Sequence, residues 1–311
     1  MKFLKKLYLL SFVGVVTTGL NSSISATDSP VTDTPFTDSS EKEYDIRTAS
    51  SAEDVEQQIL RLLDRPTLVL INIDHTLLCA TEPCFRPNTL KELGNIKATS
   101  LQHLTTRQKR WAHALEYTTT ATQLTNRNWP SIISNLQTKA LVLGYTSLAM
   151  NDLAPLSINT TRWCQKSLQE SGIHFSPSET ILFLDQSNAN QTIGMEDGVL
   201  YAGKIKRLNM SDLVQALSTN PERIIAVDCQ KQHLKSIATA ANEAEISNFT
   251  GLHCTEVYCI PPAKPDKEGL EEKFMKIEKQ TFKECPVTKE DLQSLVDKFW
   301  AKATINAADP P

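Results

Sequence analysis

Apolar positions along this chain alternate between two periods. Short, nearly uninterrupted apolar runs lie at Thr67–Ile73, Ala140–Gly144, Ile181–Asp185 and Ile224–Asp228, and a last strand is expected near 246–254. Runs of that length rich in Val, Ile and Leu read as strands buried on both faces. Between them the spacing becomes helical. Ser51-x-x-Asp54 opens a helix that carries Val55, Ile59, Leu60, Leu62 and Leu63 and is followed by Pro66, a capping signal ahead of a periodic apolar face. Helices are also predicted at 157–171 with Gly172 as the stop, at Ser211–Leu217, at about 230–243 and after Lys267. Asp197-Gly198, set between Met195 and Val199, predicts a hairpin. Strands alternating with helices imply an α/β fold, a doubly wound parallel sheet covered on both faces.

Three stretches depart from this alternation. Met1-Lys2-Phe3-Leu4-Lys5-Lys6 is basic, Leu7 to Leu20 is mostly apolar, and Ser22-Ser23-Ile24-Ser25-Ala26 is small. That is a secretory signal pattern over residues 1–26, and its apolar run is short for a membrane span of about 20 residues. The chain is therefore expected to be exported, periplasmic or secreted, with no stable span after cleavage. Residues 27–50 are rich in Asp, Ser, Thr and Pro and read as a disordered linker. Between Cys79 and Thr138 strong strands give way to Leu, Gln, Lys, Arg, Trp and Thr, bracketed by Pro87 and Pro130. Helices near 88–94, 105–124 and 130–137 are expected there. The resulting layout is a core of 51–79 and 139–260, a mainly helical insertion at 80–138 and a C-terminal helical extension at 261–311.

Charge excludes one class of partner. The formal net charge is −4, and losing Lys2, Lys5 and Lys6 with the signal takes it to −7. No long basic run offers a footprint for nucleic acid. Arg107, Lys109 and Arg110 form a small patch, either surface charge or a phosphate contact. The seven cysteines include two C-x4-C pairs, Cys79/Cys84 and Cys254/Cys259. Export permits disulfides, and the odd count leaves at least one thiol out of any intrachain pairing. Local disulfides or buried thiols fit these pairs better than zinc, because no histidines cluster beside them. A Ser-His-Asp hydrolase is not supported, since no G-x-S-x-G elbow is present.

Candidate chemistry gathers at strand ends, where open α/β sheets place their ligands. Asn72 and Asp74 follow the first strand, Thr146 the second, and Asp228 the strand at 224–228. Asn72-Ile73-Asp74-His75-Thr76-Leu77, Gly144-Tyr145-Thr146, Asp197-Gly198-Val199 and Val227-Asp228 together resemble the motifs of the haloacid-dehalogenase (HAD) superfamily. More narrowly they are similar to an exported bacterial family within it, the domain of unknown function DUF2608, over about residues 50–260. The resemblance implies a HAD-like core with a cap mounted in the insertion. It also implies a phosphatase site in which position 72 is the nucleophile, Asp74 the proton shuttle and Thr146 a phosphoryl contact. Lys204 or Lys206 would be the cationic residue, and Asp74 and Asp228 the ligands of Mg2+.

The chain departs from that pattern where the charge matters most. Asn72 stands where the family has a nucleophilic Asp, and Cys229 where it has a second acid. Neither Lys204 nor Lys206 sits at a helix start, which carries Asn209-Met210-Ser211. An amide is a poor nucleophile and no anionic ligand, so the aspartyl-phosphate route is lost and Mg2+ is expected to bind weakly. His75, inside the motif, is the best placed of the six histidines to contact an anion. Three functions follow. The first is a pseudo-phosphatase or binding module for a small phosphorylated ligand or a protein partner. The second is a magnesium-dependent phosphohydrolase of small phosphorylated substrates, with Asp74 as nucleophile or as base for water. The third is a structural or interaction protein.

Overall fold

The computed structural model describes residues 44–82, 86, 91–148, 150, 160–177, 181–183, 193–202, 210–260 and 267–291. The expected signal peptide, the linker up to residue 43, and Lys204 and Lys206 lie outside them. In chain order, β1 (Ile46–Ala49), α1 (Ala52–Leu62) and β2 (Thr67–Asn72) come first. Then follow β3 (Leu78–Ala80), α2 (Lys91–Leu101), α3 (Thr106–Thr119), β4 (Thr122–Leu124), α4 (Trp129–Gln137), β5 (Leu141–Thr146) and α5 (Thr160–Glu170). The chain continues through β6 (Ile181–Phe183), β7 (Ile193–Glu196), β8 (Val199–Tyr201), α6 (Met210–Ala216) and β9 (Arg223–Asp228). It closes with α7 (Lys231–Glu243), β10 (Asn248–Cys254), α8 (Glu256–Cys259) and α9 (Lys267–Glu284).

Among the described residues, eight strands form the central sheet in the order β1-β10-β9-β2-β5-β8-β7-β6. The pairs from β1 to β8 are parallel and the last two antiparallel. The fold is thus α/β with a mostly parallel sheet, as the apolar runs predict. All six residues of β2 are buried, and successive side chains go to opposite faces. Val69 and Ile71 pack with Val55 and Ile59 of α1, Ile133 and Leu136 of α4, and Leu168 of α5. Leu68 and Leu70 pack on the other side with Leu213 of α6 and Leu234 and Ile237 of α7. Each such side chain contributes about 1.5–3 kcal/mol on full burial.

Local signals act where the sequence places them. Ser51 caps α1, its Oγ accepting from the Asp54 amide at 3.2 Å. Asp197 and Gly198 take φ of 48° and 69° between β7 and β8, the paired left-handed residues of a type I′ hairpin. Only a glycine fits the second place, because a Cβ there would lie 2.6 Å from Phe175 Cβ.

Several expectations need correction. The linker at 27–50 does not run to its end: Ile46–Ala49 pairs in parallel with β10. Only Ala49 of that strand is buried, so the segment lacks an apolar run. The insertion has strands as well as helices, since β3 and β4 form a two-stranded antiparallel ribbon through which the chain leaves and re-enters the core. α4, placed within the insertion at 80–138, packs in the core through Trp129, Ile132, Ile133 and Leu136. The extension at 261–311 is no appendage over its described part. Leu270, Phe274 and Ile277 of α9 share a core with Leu104, Trp111, Ala112 and Leu115 around α3. A polar latch reinforces it: Gln108 Nε2 donates to Cys285 O at 2.9 Å and Arg107 pairs with Asp291 at 2.9 Å. Arg107 therefore serves this latch. Among the described residues, no helix is long and apolar enough to cross a membrane.

Candidate functional site

The order of the sheet reverses at β2. The chain builds outward to β5 and β8, then returns to lay β9 on the other side. Such a reversal opens a crevice at the carboxyl ends of the strands. Asn72, Asp74, Thr146 and Asp228 all come to that end, within two linked constellations.

The first surrounds Asp74. Asn72 is 1% exposed, and its amide is closed on the neighbouring backbone. Its Nδ2 donates to Asp74 O at 2.9 Å, and its Oδ1 accepts from the Asp74 amide at 3.2 Å. Asp74 Oδ2 accepts from Thr146 Oγ1 at 2.7 Å, Ser147 N at 3.1 Å and Ser147 Oγ at 3.2 Å. Thr146 is fully buried and also accepts from Leu148 N at 3.1 Å. The threonine expected to face a phosphoryl group thus spends its proton on a carboxylate.

The second surrounds Asp228, which is fully buried. Its Oδ1 accepts from Gln230 N at 2.7 Å, and its Oδ2 from Tyr145 OH at 2.5 Å. His233 Nδ1 lies 3.0 Å from the same Oδ2. Burial, and then the Asp228 charge, hold the Tyr145 hydroxyl well above its ordinary pKa, so it remains a donor. The hydrogen bond to Asp228 raises His233 above its ordinary value. A bond from Cys229 N to Thr76 Oγ1 at 3.0 Å joins the two constellations. Burial pushes the Cys229 thiol up to about 12, so it does not supply the anion of the acid it stands for.

His75 takes the left-handed φ of 63°, which costs a side-chain-bearing residue energy. The turn is closed by His75 N donating to Leu78 O at 2.7 Å and Leu78 N to Ile73 O at 3.0 Å. His75 Nδ1 is buried with no hydrogen-bond partner, and burial holds the imidazole below its ordinary pKa. Above this turn opens a cavity of about 300 Å3. Its walls come from the motif loop, the β3–β4 ribbon, α2 and α3, and α5. Arg86, Lys97, Glu116 and Trp163 join Asp74 and His75 in the lining. Lys97 Nζ and Glu116 Oε1 pair at 2.5 Å. Burial pushes the Cys164 thiol in the same wall up to about 12.

Asn72, Asp74 and Thr146 are brought together, Asp228 is held beside them by separate donors, and only Asp74 of the four lines the cavity. Tyr145 and His233, the partners of Asp228, were not expected from the sequence. The available signals were a Tyr immediately before Thr146 and a His five residues after Asp228. The cavity charges Arg86, Lys97 and Glu116 had no sequence signal. The six described cysteines are all free thiols, five of them buried, so Cys254 and Cys259 form no local disulfide.

A family model described as "Protein of unknown function (DUF2608)" matches residues 48–284. No curated protein matches the chain.

Proposed function

The chain belongs to the DUF2608 family, and from that premise we propose a HAD-like phosphatase scaffold working outside the cytoplasm as a binding module without phosphoryl transfer. One observation carries this reading: Asn72, at the nucleophile position of the motif, is buried and closed on Asp74 by two reciprocal hydrogen bonds. A neutral amide so engaged neither attacks phosphorus nor offers a cation a charge. The strand order around β2, with polar residues at the ends of β2, β5 and β9, supports the HAD-like assignment.

The donor set fits Mg2+ poorly. Asp74 O, the backbone carbonyl the family would give the cation, accepts Asn72 Nδ2. Both oxygens of Asp228 already accept from Gln230 and Tyr145. Among the described residues no group of three His, Cys, Asp or Glu is placed to hold a metal.

Hydrolysis of an aryl phosphate with Mg2+, compared between the protein and its Asn72→Asp variant, tests it. Turnover in the variant alone is the expected result. Turnover in the parent would overturn the reading in favour of the phosphohydrolase, which one observation favours: Asp74 lines the cavity. In that case Asp74→Asn would abolish the parent's activity.

A further inference from the structure

Four polar side chains that line the cavity above the motif turn, Asp74, His75, Thr122 and Ser167, keep hydrogen-bonding capacity that the fold does not use. The imidazole of His75 and the hydroxyls of Thr122 and Ser167 make no hydrogen bond to any described residue. Asp74 accepts all three of its side-chain hydrogen bonds through Oδ2, from Thr146 and twice from Ser147, and its Oδ1 accepts none from the described residues. Ser167 is only 8% exposed, so the cavity it lines is where its hydroxyl can find a partner. His75 is set on the wall by a left-handed turn with φ of 63°, a strained conformation of the kind that gathers at ligand sites. Its Nδ1 is buried, so Nε2 is the nitrogen a ligand would reach. These groups are one pure acceptor and three that can each donate or accept. A ligand that covers them must offer donors and acceptors together, because a polar group closed off from water without a partner weakens binding. Phosphate oxygens offer acceptors to the first and would also meet the Asp74 charge at close range. Hydroxyl groups offer both. Trp163 adds an aromatic side chain to the described lining, a surface against which the C–H groups of a ring can pack. The volume of about 300 Å3 is at the small end of ligand pockets.

We propose that this cavity binds an unphosphorylated monosaccharide, whose hydroxyls bond Asp74 Oδ1, His75 Nε2 and the hydroxyls of Thr122 and Ser167. The assignment rests on the binding reading above and names its ligand class. Each hydroxyl so held is recognised by a group with no other partner, so removing it leaves that group unsatisfied.

Calorimetric titration of the full chain tests this with D-glucose, D-galactose and D-mannose as probes, beside their monodeoxy forms and glucose 6-phosphate. At least one of the three sugars should bind. At least one monodeoxy form of that sugar should bind about tenfold more weakly or worse, since a site that hydrogen-bonds a hydroxyl rejects the analogue lacking it. These comparisons change the ligand, so they do not depend on a variant folding. In Ser167→Ala the same sugar should bind more weakly, and one of the monodeoxy forms should no longer be discriminated from it. Absence of binding by all three sugars would overturn the proposal. So would equal affinity for a sugar and every monodeoxy form of it, or unchanged affinity in Ser167→Ala. Tighter binding of glucose 6-phosphate than of glucose, without turnover, would overturn the ligand class and leave the binding module standing. Release of phosphate from it would overturn the binding reading itself.

Discussion

Tyr145 OH donates to Asp228 Oδ2 at 2.5 Å, reaching from β5 to β9 across the carboxyl end of β2, which lies between them. Both residues are buried, so the bond ties three central strands where the sheet reverses. It also withdraws the one acid at the end of β9 from other ligands. Tyr145→Phe removes the donor and nothing else. A hydrogen bond to a charged group contributes about 1.5–3 kcal/mol, and urea unfolding at neutral pH should show a loss of that size. An unchanged midpoint would mean that Gln230 and His233 satisfy Asp228 without it.

A second network holds α1 to the insertion's return path. Asn126 Nδ2 donates to Glu256 Oε1 at 2.7 Å and to both carboxylate oxygens of Glu53 at 3.2 Å. Glu256 in turn accepts from Ala52 N at 3.0 Å, at the start of α1. Burial first, and the Glu53 charge in addition, hold Glu256 above its ordinary 4.5. A carboxyl raised in the fold costs stability above its raised pKa, and the cost vanishes as pH falls through it. Glu53 is shifted the other way, chiefly by Asn128, which the substitution leaves in place. Asn126→Ala should therefore be destabilising by about 1–3 kcal/mol at pH 7.5, and the gap to the parent should narrow below pH 5. Paired denaturation curves at the two pH values measure it. A gap that widens on acidification would contradict the assignment.

Helix α9 provides a third test. Phe274 is 1% exposed and packs with Trp111 and Leu115. Removing a buried Phe side chain costs about 3–5 kcal/mol. Because this core is separate from the two that flank the sheet, Phe274→Ala should raise hydrogen exchange in α2, α3 and α9. Exchange in β2, β5 and β9 should stay as in the parent. Faster exchange throughout would show that the helical unit and the sheet unfold together.

These contacts mark where the sequence stops being informative. β2, β5 and β9 are legible because a strand buried on both faces needs an unbroken apolar run, and Asp197-Gly198 because its turn needs two left-handed residues. β1 is illegible: Ile46-Arg47-Thr48-Ala49 is a half-exposed edge, selected by its pairing with β10. β3 and β4, three residues each, are too short to show a period. The docking of α9 on α3 joins residues more than 150 positions apart. The same limit governs the site. Asn72, Asp74, Thr146 and Asp228 lie at strand ends and are found by rule. Arg86, Lys97 and Glu116 meet at the cavity only through tertiary packing.

The last prediction concerns the substitution at the head of the motif. Asn72 serves the Asp74 backbone as donor and as acceptor. In Asn72→Asp the acceptor remains, but the donor to Asp74 O becomes a carboxylate oxygen facing a carbonyl oxygen. That places an unpaired charge at a position 1% exposed, a change that costs several kcal/mol when nothing compensates it. The variant should melt well below the parent in a chelator-containing buffer. The same pair of oxygens, one anionic and one carbonyl, is the donor type that hard divalent cations take. Added Mg2+ should then raise the melting temperature of the variant and leave the parent unmoved, since binding to the folded state alone stabilises it by mass action. The measurement needs no substrate, so it separates the geometry of the strand end from the choice of phosphate ester. A parent that responds to Mg2+ as strongly as the variant would show that Asn72 does not decide cation binding here.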